Sequence, residues 1–445
     1  MKIIVAGAAQ VGTHLAKLLA KENMDVVLMD ADPERIAPLT YMNLMTLVGS
    51  PTSINALRDA GVPKCDLFIA VTPQESLNIH ACILASSLGA RKTMARIDNY
   101  EMQKPETLDF YKRIGVSRLV YPEMLGGQAV AAAIQRPWSR MSFELCDGHL
   151  LLLGVKVYEG APLVGQSLME VGKRQHDNFH VAAIKRGDDL WIPNATDVFE
   201  ANDLVYFITL PEKTDIVRLI CGKEERHIRR VVIMGGSRIG IQTCFALSHG
   251  YEMLFIEPDQ HLAERIMEEL PQARVIQGYT GDQEAMSAVG LTKNDAFVAL
   301  GEESGANILA CLSAKKMGVG KTVAEVEDVE YISMATNLNI GSIVNKKLLT
   351  ASSIYQILLD ADKTNAKCFS LVDAEVADLV AQPGSHITEK PVMELRLPKG
   401  ITLGGLVRDG RGMTVTGQTQ IQAGDHVAVV CMNDKIEAVE KLFVK

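Results

Sequence analysis

The first residues whose types and spacing could do chemistry lie at the start of the chain. Val5-Ala6-Gly7-Ala8-Ala9-Gln10-Val11-Gly12 follows the apolar run Ile3-Ile4-Val5 and opens an amphipathic stretch from Thr13 to Leu19. That pattern predicts a strand, a tight turn and the start of a helix. Its glycines match the dinucleotide fingerprint G-x-G-x-x-G at the first and last positions. Gly7 permits the sharp turn, and Gly12 lets the helix lie close to the strand. Backbone N–H groups at the helix start would then face a pyrophosphate, where the helix dipole favours negative charge. Ala9 occupies the middle glycine position, and its methyl group narrows the gap a phosphate must enter. A second apolar run, Val26-Val27-Leu28-Met29, ends in Asp30, 23 residues past Gly7. A carboxylate about 20 residues after the first glycine accepts hydrogen bonds from ribose hydroxyls and repels a 2′-phosphate, which favours NAD over NADP. The alternative reading of Asp30 is a plain turn residue before Asp32-Pro33.

The elements that must position these residues occur twice. Gly235-Gly236-Ser237-Arg238-Ile239-Gly240 follows Val231-Val232-Ile233-Met234, 228 residues after the opening turn. Glu257 ends Leu254-Phe255-Ile256 as Asp30 ends its run, at an offset of 227, while Gly278 repeats Gly49 and Asn307 repeats Asn78, both at 229. Each copy alternates strand-like and helical stretches. In the first, a helix is expected around Pro33 to Tyr41 and a strand at Met45 to Val48. A helix from Ile54 to Ala60, a strand at Leu67 to Val71, a helix from Leu77 to Leu88 and a strand at Lys92 to Ile97 follow. Such alternation implies a parallel sheet with helices on both faces. Ligands on such sheets sit at the carboxyl ends of strands. Gly7, Asp30, Ser50, Thr72 and Arg96 all fall at or just before such ends.

Between and after the two copies the texture changes. Leu150 to Val157, Val181 to Ile184 and Leu204 to Ile208 read as strands, with a helical stretch near Gly165 to Val171. This small α+β module also recurs. Arg186-Gly187-Asp188 aligns with Arg408-Asp409-Gly410, and Ala201-Asn202-Asp203 with Ala423-Gly424-Asp425, both at 222 residues. The fold class is therefore α/β: two Rossmann-like doubly wound parallel-sheet domains, each followed by a small α+β domain, over residues 1–122, 140–224, 228–346 and 366–445. Two helical bridges, Pro122 to Arg136 and Lys346 to Ala366, link large to small.

Bulk properties narrow the function. The chain has 445 residues, 47% hydrophobic and 22% charged, with a net charge of −9. Such an acidic balance disfavours phosphate-backbone binding, so no nucleic-acid partner is expected. No apolar run approaches the ~18 residues of a membrane span. The first residues are expected to form a strand at once, so no signal peptide is expected. The eight cysteines are scattered and form no C-x-x-C pair, so no metal site or disulfide framework is expected. His176 and His180 are expected in a solvated polar loop. Asp188, Asp189 and Asp203 could hold a cation, although solvated turns explain them more simply. A dehydrogenase would need a proton donor or acceptor beside the nicotinamide. The small modules offer no obvious His-plus-acid pair, so an NAD-dependent oxidoreductase is the second reading.

The tandem order, with Asp30, Asn78 and Thr93-Met94-Ala95-Arg96-Ile97, resembles the family of Trk potassium-uptake regulatory proteins. Their units are called RCK domains, for regulation of potassium conductance. The resemblance spans essentially the whole chain. It implies a cytoplasmic, non-catalytic, nucleotide-gated ring held peripherally under a Trk-type membrane potassium transporter subunit, with self-assembly as a dimer or tetramer. The family binds NAD or NADH, and ATP and ADP are also implicated. By position, Gly7, Ala8, Ala9, Gln10, Val11 and Gly12 would hold phosphates and Asp30 the ribose. Ser50 and Thr72-Pro73 would surround the adenosine, and Arg96 would point toward the phosphates. The second site would use Gly235 to Gly240 and Glu257. Ser237 replaces a glycine there, and Glu325 stands where the first copy has Arg96. An acid near a phosphate costs binding unless a cation offsets it. Arg238 could be that cation or a solvated turn residue. The first copy is therefore expected to be the stronger site.

Overall fold

The computed structural model describes the chain apart from residues 22–23, 40–43, 176, 248–249, 279–282, 360–366, 372–373, 433–434 and 445. The chain forms two compact units. One comprises Met1–Gly126 with Asn345–Tyr355, and the other Gly127–Val344 with Gln356–Lys445.

The first unit is built on a parallel sheet of β1 (Lys2–Ala6), β2 (Asp25–Asp30), β3 (Met45–Val48), β4 (Leu67–Ala70), β5 (Lys92–Arg96) and β6 (Arg118–Val120). Their spatial order is β3-β2-β1-β4-β5-β6. A parallel sheet is covered on both faces, so its central strands must be apolar throughout. Ile3, Ile4, Val5 and Ala6 meet that demand and are fully buried. Helices Gln10–Lys21 and Glu75–Leu88 supply cover, the latter ending at Gly89 in the left-handed conformation that caps helices. The chain direction of assembly reverses between β1 and β4, which opens a crevice at their carboxyl ends. The helix expected from Pro33 to Tyr41 is shorter. It runs Pro33–Ile36, then tightens into a 3-10 turn at Ala37–Leu39. Pro38 lacks the N–H that would continue it, and Tyr41 lies outside the described residues.

The second unit carries a small antiparallel sheet, a second parallel sheet and a second small sheet. The first small sheet joins β7 (Met141–Leu145), β8 (Leu150–Lys156), β9 (Phe179–Arg186), β10 (Asp189–Trp191) and β11 (Leu204–Thr209), ordered β10-β9-β11-β8-β7. The parallel sheet joins β12 (Arg230–Met234), β13 (Glu252–Ile256), β14 (Arg274–Ile276), β15 (Asp295–Ala299), β16 (Lys321–Glu325) and β17 (Ser342–Val344). Its order, β14-β13-β12-β15-β16-β17, repeats that of the first unit. The last sheet joins β18 (Lys367–Leu371), β19 (Ala374–Val380), β20 (Ile401–Arg408), β21 (Arg411–Thr414) and β22 (His426–Met432), ordered β18-β19-β22-β20-β21. The two small sheets share one core, in which Leu150, Leu152, Tyr206 and Ile208 meet Val376, Val407, Ala428 and Val430. Gly404 makes this approach possible, since a methyl carbon there would lie 2.2 Å from Ile208 Cδ1.

Several expectations for the small modules need correcting. The first-module helix spans Leu168–Gln175 rather than Gly165 to Val171. Gly165 adopts a left-handed turn conformation before it. His180 is in no loop: it sits on β9, and its Nε2 lies 2.7 Å from Thr402 Oγ1. Burial lowers its pKa to about 4. His176 lies outside the described residues. Asp203 is no solvated turn residue either. It is fully buried and held by a two-pronged ion pair, Arg186 Nε to Oδ1 at 2.8 Å and Nη2 to Oδ2 at 2.9 Å. Arg408 and Asp425 repeat that pair at 2.8 and 2.6 Å. The 222-residue repeat is thus anchored by an Arg–Asp fork in each module, and Asp203 is already committed to a cation of the chain itself.

Candidate functional site

The first crevice is assembled by backbone geometry. Gly7 has φ +113°, and a methyl carbon there would lie 2.9 Å from the Thr72 nitrogen. At Gly12 it would lie 1.8 Å from the Gly7 carbonyl oxygen. Both positions therefore exclude a side chain, for the two reasons the fingerprint needs. Ala8 is buried and Ala9 half-buried at the turn; Gln10 and Val11 begin the helix, with Gln10 exposed. The first-turn amides of a helix lack internal acceptors, which leaves this end able to bind an anion.

Asp30, at the end of β2, is buried and braces the turn. Its Oδ2 accepts the Ala8 N–H at 2.6 Å, and its Oδ1 accepts the Asp32 N–H at 2.9 Å. Arg35 lies 3.8 Å from Oδ2. Each carboxylate oxygen keeps a further lone pair for a ribose hydroxyl. The Asp30 carbonyl accepts the Gly49 N–H at 2.8 Å, which places Ser50 beside the same strand end. Ser50 Oγ pairs with Thr52 Oγ1 at 2.9 Å.

The other wall hangs on Asn78, which is fully buried in helix Glu75–Leu88. Its Oδ1 accepts the Thr72 N–H at 2.9 Å and the Thr72 hydroxyl at 2.7 Å. Its Nδ2 donates to the carbonyls of Thr72 at 2.9 Å and Arg96 at 3.0 Å. One amide side chain thus latches the end of β4 to the end of β5. Glu75 adds a second latch, accepting the N–H groups of Asp98 and Asn99. Pro73 is exposed at the rim. Arg96 is one-fifth exposed, 3.3 Å from Asp98 and 3.9 Å from Glu123. Its buried Nε has no hydrogen-bond partner among the described residues. That orphan donor is what an anion at the crevice would satisfy. Gly7, Asp30, Ser50, Thr72 and Arg96 are therefore joined through direct or one-residue contacts, as their strand-end positions predict.

The second crevice copies the frame and changes the lining. Gly235 has φ +102°, and a methyl carbon there would lie 2.9 Å from the Leu300 carbonyl. Glu257 braces the turn as Asp30 does, accepting the N–H groups of Gly236 and, at 2.8 Å, Asp259. Gly240 packs under Phe255, and Ile239 is buried. Asn307 repeats the latch, bonding both backbone groups of Gly301 at 2.8 Å and the Glu325 carbonyl at 3.0 Å. Thr72 is thus replaced by Gly301, and Arg96 by the buried Glu325. Ser237 Oγ is buried with no partner among the described residues. Arg238 opens helix Arg238–Ala246 and is half-buried, so it is not a fully solvated turn residue. The latching roles of Asn78, Asn307 and Glu75 are not visible in the fingerprint. The shared offset of the two asparagines marked them only as a repeat.

The family model described as the TrkA-N domain matches residues 3–122 and 231–346, and the TrkA-C domain model matches 152–222 and 376–444. The chain is 30% identical over 452 residues to the Trk system potassium uptake protein TrkA of Haemophilus influenzae, covering 100% of this chain and 98% of that one. The same-named protein of Vibrio alginolyticus is 30% identical over 451 residues, with the same coverage. Among solved structures, the GsuK RCK domain aligns with a TM-score of 0.61 and 15% identity, covering 99% of this chain and 94% of that chain. The GsuK channel bound to NAD aligns at 0.60 and 16%, covering 99% and 78%. At these identities the structural matches speak for the fold.

Proposed function

Because this chain belongs to the TrkA family, we propose that it is a regulatory subunit of a Trk-type membrane potassium uptake system, binding NAD or NADH as a signal. The observation that carries this reading is the first crevice. Its turn admits no side chain at Gly7 or Gly12, its brace is a carboxylate with lone pairs to spare, and its buried Arg96 Nε has no partner among the described residues. That set fits a dinucleotide. Gly7 to Gly12 would hold the pyrophosphate, Asp30 the ribose, Ser50, Thr72 and Pro73 the adenosine, and Arg96 the phosphate charge. ATP and ADP share the adenosine and phosphate features. The curated relatives are named as potassium uptake proteins, which supports a non-catalytic role in which the nicotinamide is not consumed. Segments 1–122, 140–224, 228–346 and 366–445 act as four domains in this reading.

A nucleotide can shift a two-state assembly only by its differential affinity, commonly ~1–3 kcal/mol per coupled site. Association of several copies into a ring adds these terms. Among the described residues no helix is long and apolar enough to cross a membrane. Position at the cytoplasmic face would come through the transporter partner. In the second crevice an acid, Glu325, takes the place of Arg96 beside the acid Glu257, so Gly235, Gly236, Ser237, Arg238, Ile239 and Gly240 form the weaker site. Titrating NADH into the Asp30→Ala and Glu257→Ala variants tests this order. The former should lose the tight-binding fraction, and the latter should keep it. Equal losses would contradict it.

A further inference from the structure

A cavity of about 620 Å³ lies in the second unit, away from its crevice. Gly320, Lys321, Thr322 and Gly341 line it from the amino ends of β16 and β17, whereas the crevice opens at the carboxyl ends. The other wall comes from Trp138, just ahead of the first small module, and from Arg140, Lys156, Tyr158 and Lys223 within it. Six cations converge there from four stretches of the sequence: Arg140, Lys156, Lys223 with Arg226, and Lys315 with Lys321. Glu224 is the single acid among the lining residues. In a chain of net charge −9 this is a marked local reversal.

Their partners are neutral. Lys321 Nζ donates to the Ser139 carbonyl at 2.6 Å and to Ser342 Oγ at 2.8 Å. Arg226 donates to the Gly320 carbonyl at 2.9 Å, and Arg140 to the Tyr158 hydroxyl at 3.0 Å. Lys223 Nζ lies 3.8 Å over the Tyr158 ring. Among the described residues, none of the six lies within 4 Å of a carboxylate; Asp203 acts on Lys156 from farther off, partly offsetting its neighbours. Holding like charges together in a partly desolvated space is costly. Burial and the positive charges of Arg140, Arg226 and Lys315 lower the Lys223 pKa to about 8. Burial, then Arg140, also lowers those of Lys156, Lys315 and Lys321. A ligand with several negative charges would relieve all of them at once.

We propose that this cavity is a further regulatory site, distinct from both crevices, which binds an oligophosphate, either free or as the phosphate chain of a nucleotide. Its volume lies in the range of small-molecule pockets, roughly 300–1,000 Å³. Lysines and arginines around it can each give charge-assisted hydrogen bonds to phosphate oxygens. Trp138 and Tyr158 offer flat apolar surface beside them. The site spans the small module and the second parallel-sheet domain, so its ligand would fix one against the other.

The test is calorimetric titration of the full chain with inorganic tripolyphosphate, which has no ribose for the crevices to recognise. One tripolyphosphate per chain is expected, with at least tenfold weaker binding in the Lys156→Gln/Lys223→Gln double variant. The exposed Lys112→Gln control should bind within twofold of the parent. NADH titration of the double variant should be unchanged within twofold, which shows that it is folded. At pH 8, binding to the parent should take up protons, seen as a heat that depends on the buffer, and Lys223→Gln should take up fewer. Competition by ATP would assign the site to a nucleotide, and indifference to ATP would assign it to free oligophosphate. Absence of tripolyphosphate binding, or equal binding by the double variant, would overturn the proposal.

Discussion

Replacing Asn78 by alanine should open the first crevice from within. The side chain is fully buried and makes four hydrogen bonds of 2.7–3.0 Å. Each is worth ~1 kcal/mol net, and a buried group left unpaired costs ~1–3 kcal/mol. The Thr72 hydroxyl has a second acceptor, the Gln74 carbonyl at 3.3 Å, which softens its loss. Three bonds then go uncompensated, for about 3 kcal/mol, or ~100-fold at 1.4 kcal/mol per factor of ten. The chain has more than one compact unit, so a single melting midpoint would blur the effect. Amide hydrogen exchange reads local opening directly. Amides at the ends of β4 and β5 should exchange ~100-fold faster in Asn78→Ala. Asn78→Asp should not rescue. Its carboxylate can still accept from Thr72 but cannot donate to the Thr72 and Arg96 carbonyls. Burial beside those carbonyls raises the pKa of the introduced carboxyl, so the defect should ease as pH falls and a donating proton returns. A less than threefold change in Asn78→Ala, or full rescue by Asn78→Asp at neutral pH, would refute the latch.

Three further outcomes are expected. His180 should make the second unit acid-sensitive. Its folded pKa of about 4 lies below the ordinary 6.5, so the unfolded chain takes up the proton first. The associated stability is present above about pH 6.5 and is lost toward pH 4, by up to ~3 kcal/mol; in His180→Gln the hydrogen-exchange protection of the β9 amides, corrected for intrinsic exchange, should depend less on pH over that range. Arg186→Ala should cost about 3 kcal/mol in denaturant unfolding, because Asp203 would be left buried and unpaired. The figure is at the low end because the guanidinium is about one-third exposed. Arg408→Ala should match it, since the fork with Asp425 has the same form. Gly12→Ala should abolish NADH binding in the first crevice, since the added methyl group collides with the Gly7 carbonyl.

The parts of this fold legible in the sequence are those written in local pattern. Gly7 and Gly12 announce the turn because no other residue fits there, and apolar runs such as Ile3 to Val5 read as buried parallel strands. Repetition did the rest, since Asn307 at the offset of Asn78 carries the same latch. Where local pattern was silent, expectation failed. His180 looks polar in its neighbourhood of charged residues, yet it closes against Thr402, 222 residues away. Asp203 reads as a turn residue until Arg186 reaches it across the sheet. The six cations of the basic cavity come from positions 140 to 321, and nothing in any one stretch marks them. Long-range pairing decides such residues, and spacing along the chain does not encode it.

The most direct measurement is to hold the purified chain with NADH, then determine what is bound, the mass of the assembly, and whether the nicotinamide absorbance has changed. Bound cofactor recovered intact, with an assembly or partner affinity that differs from the nucleotide-free protein, is the predicted result. Oxidation of the cofactor with a small metabolite, or failure of NAD, NADH, ATP and ADP alike to bind, would contradict it.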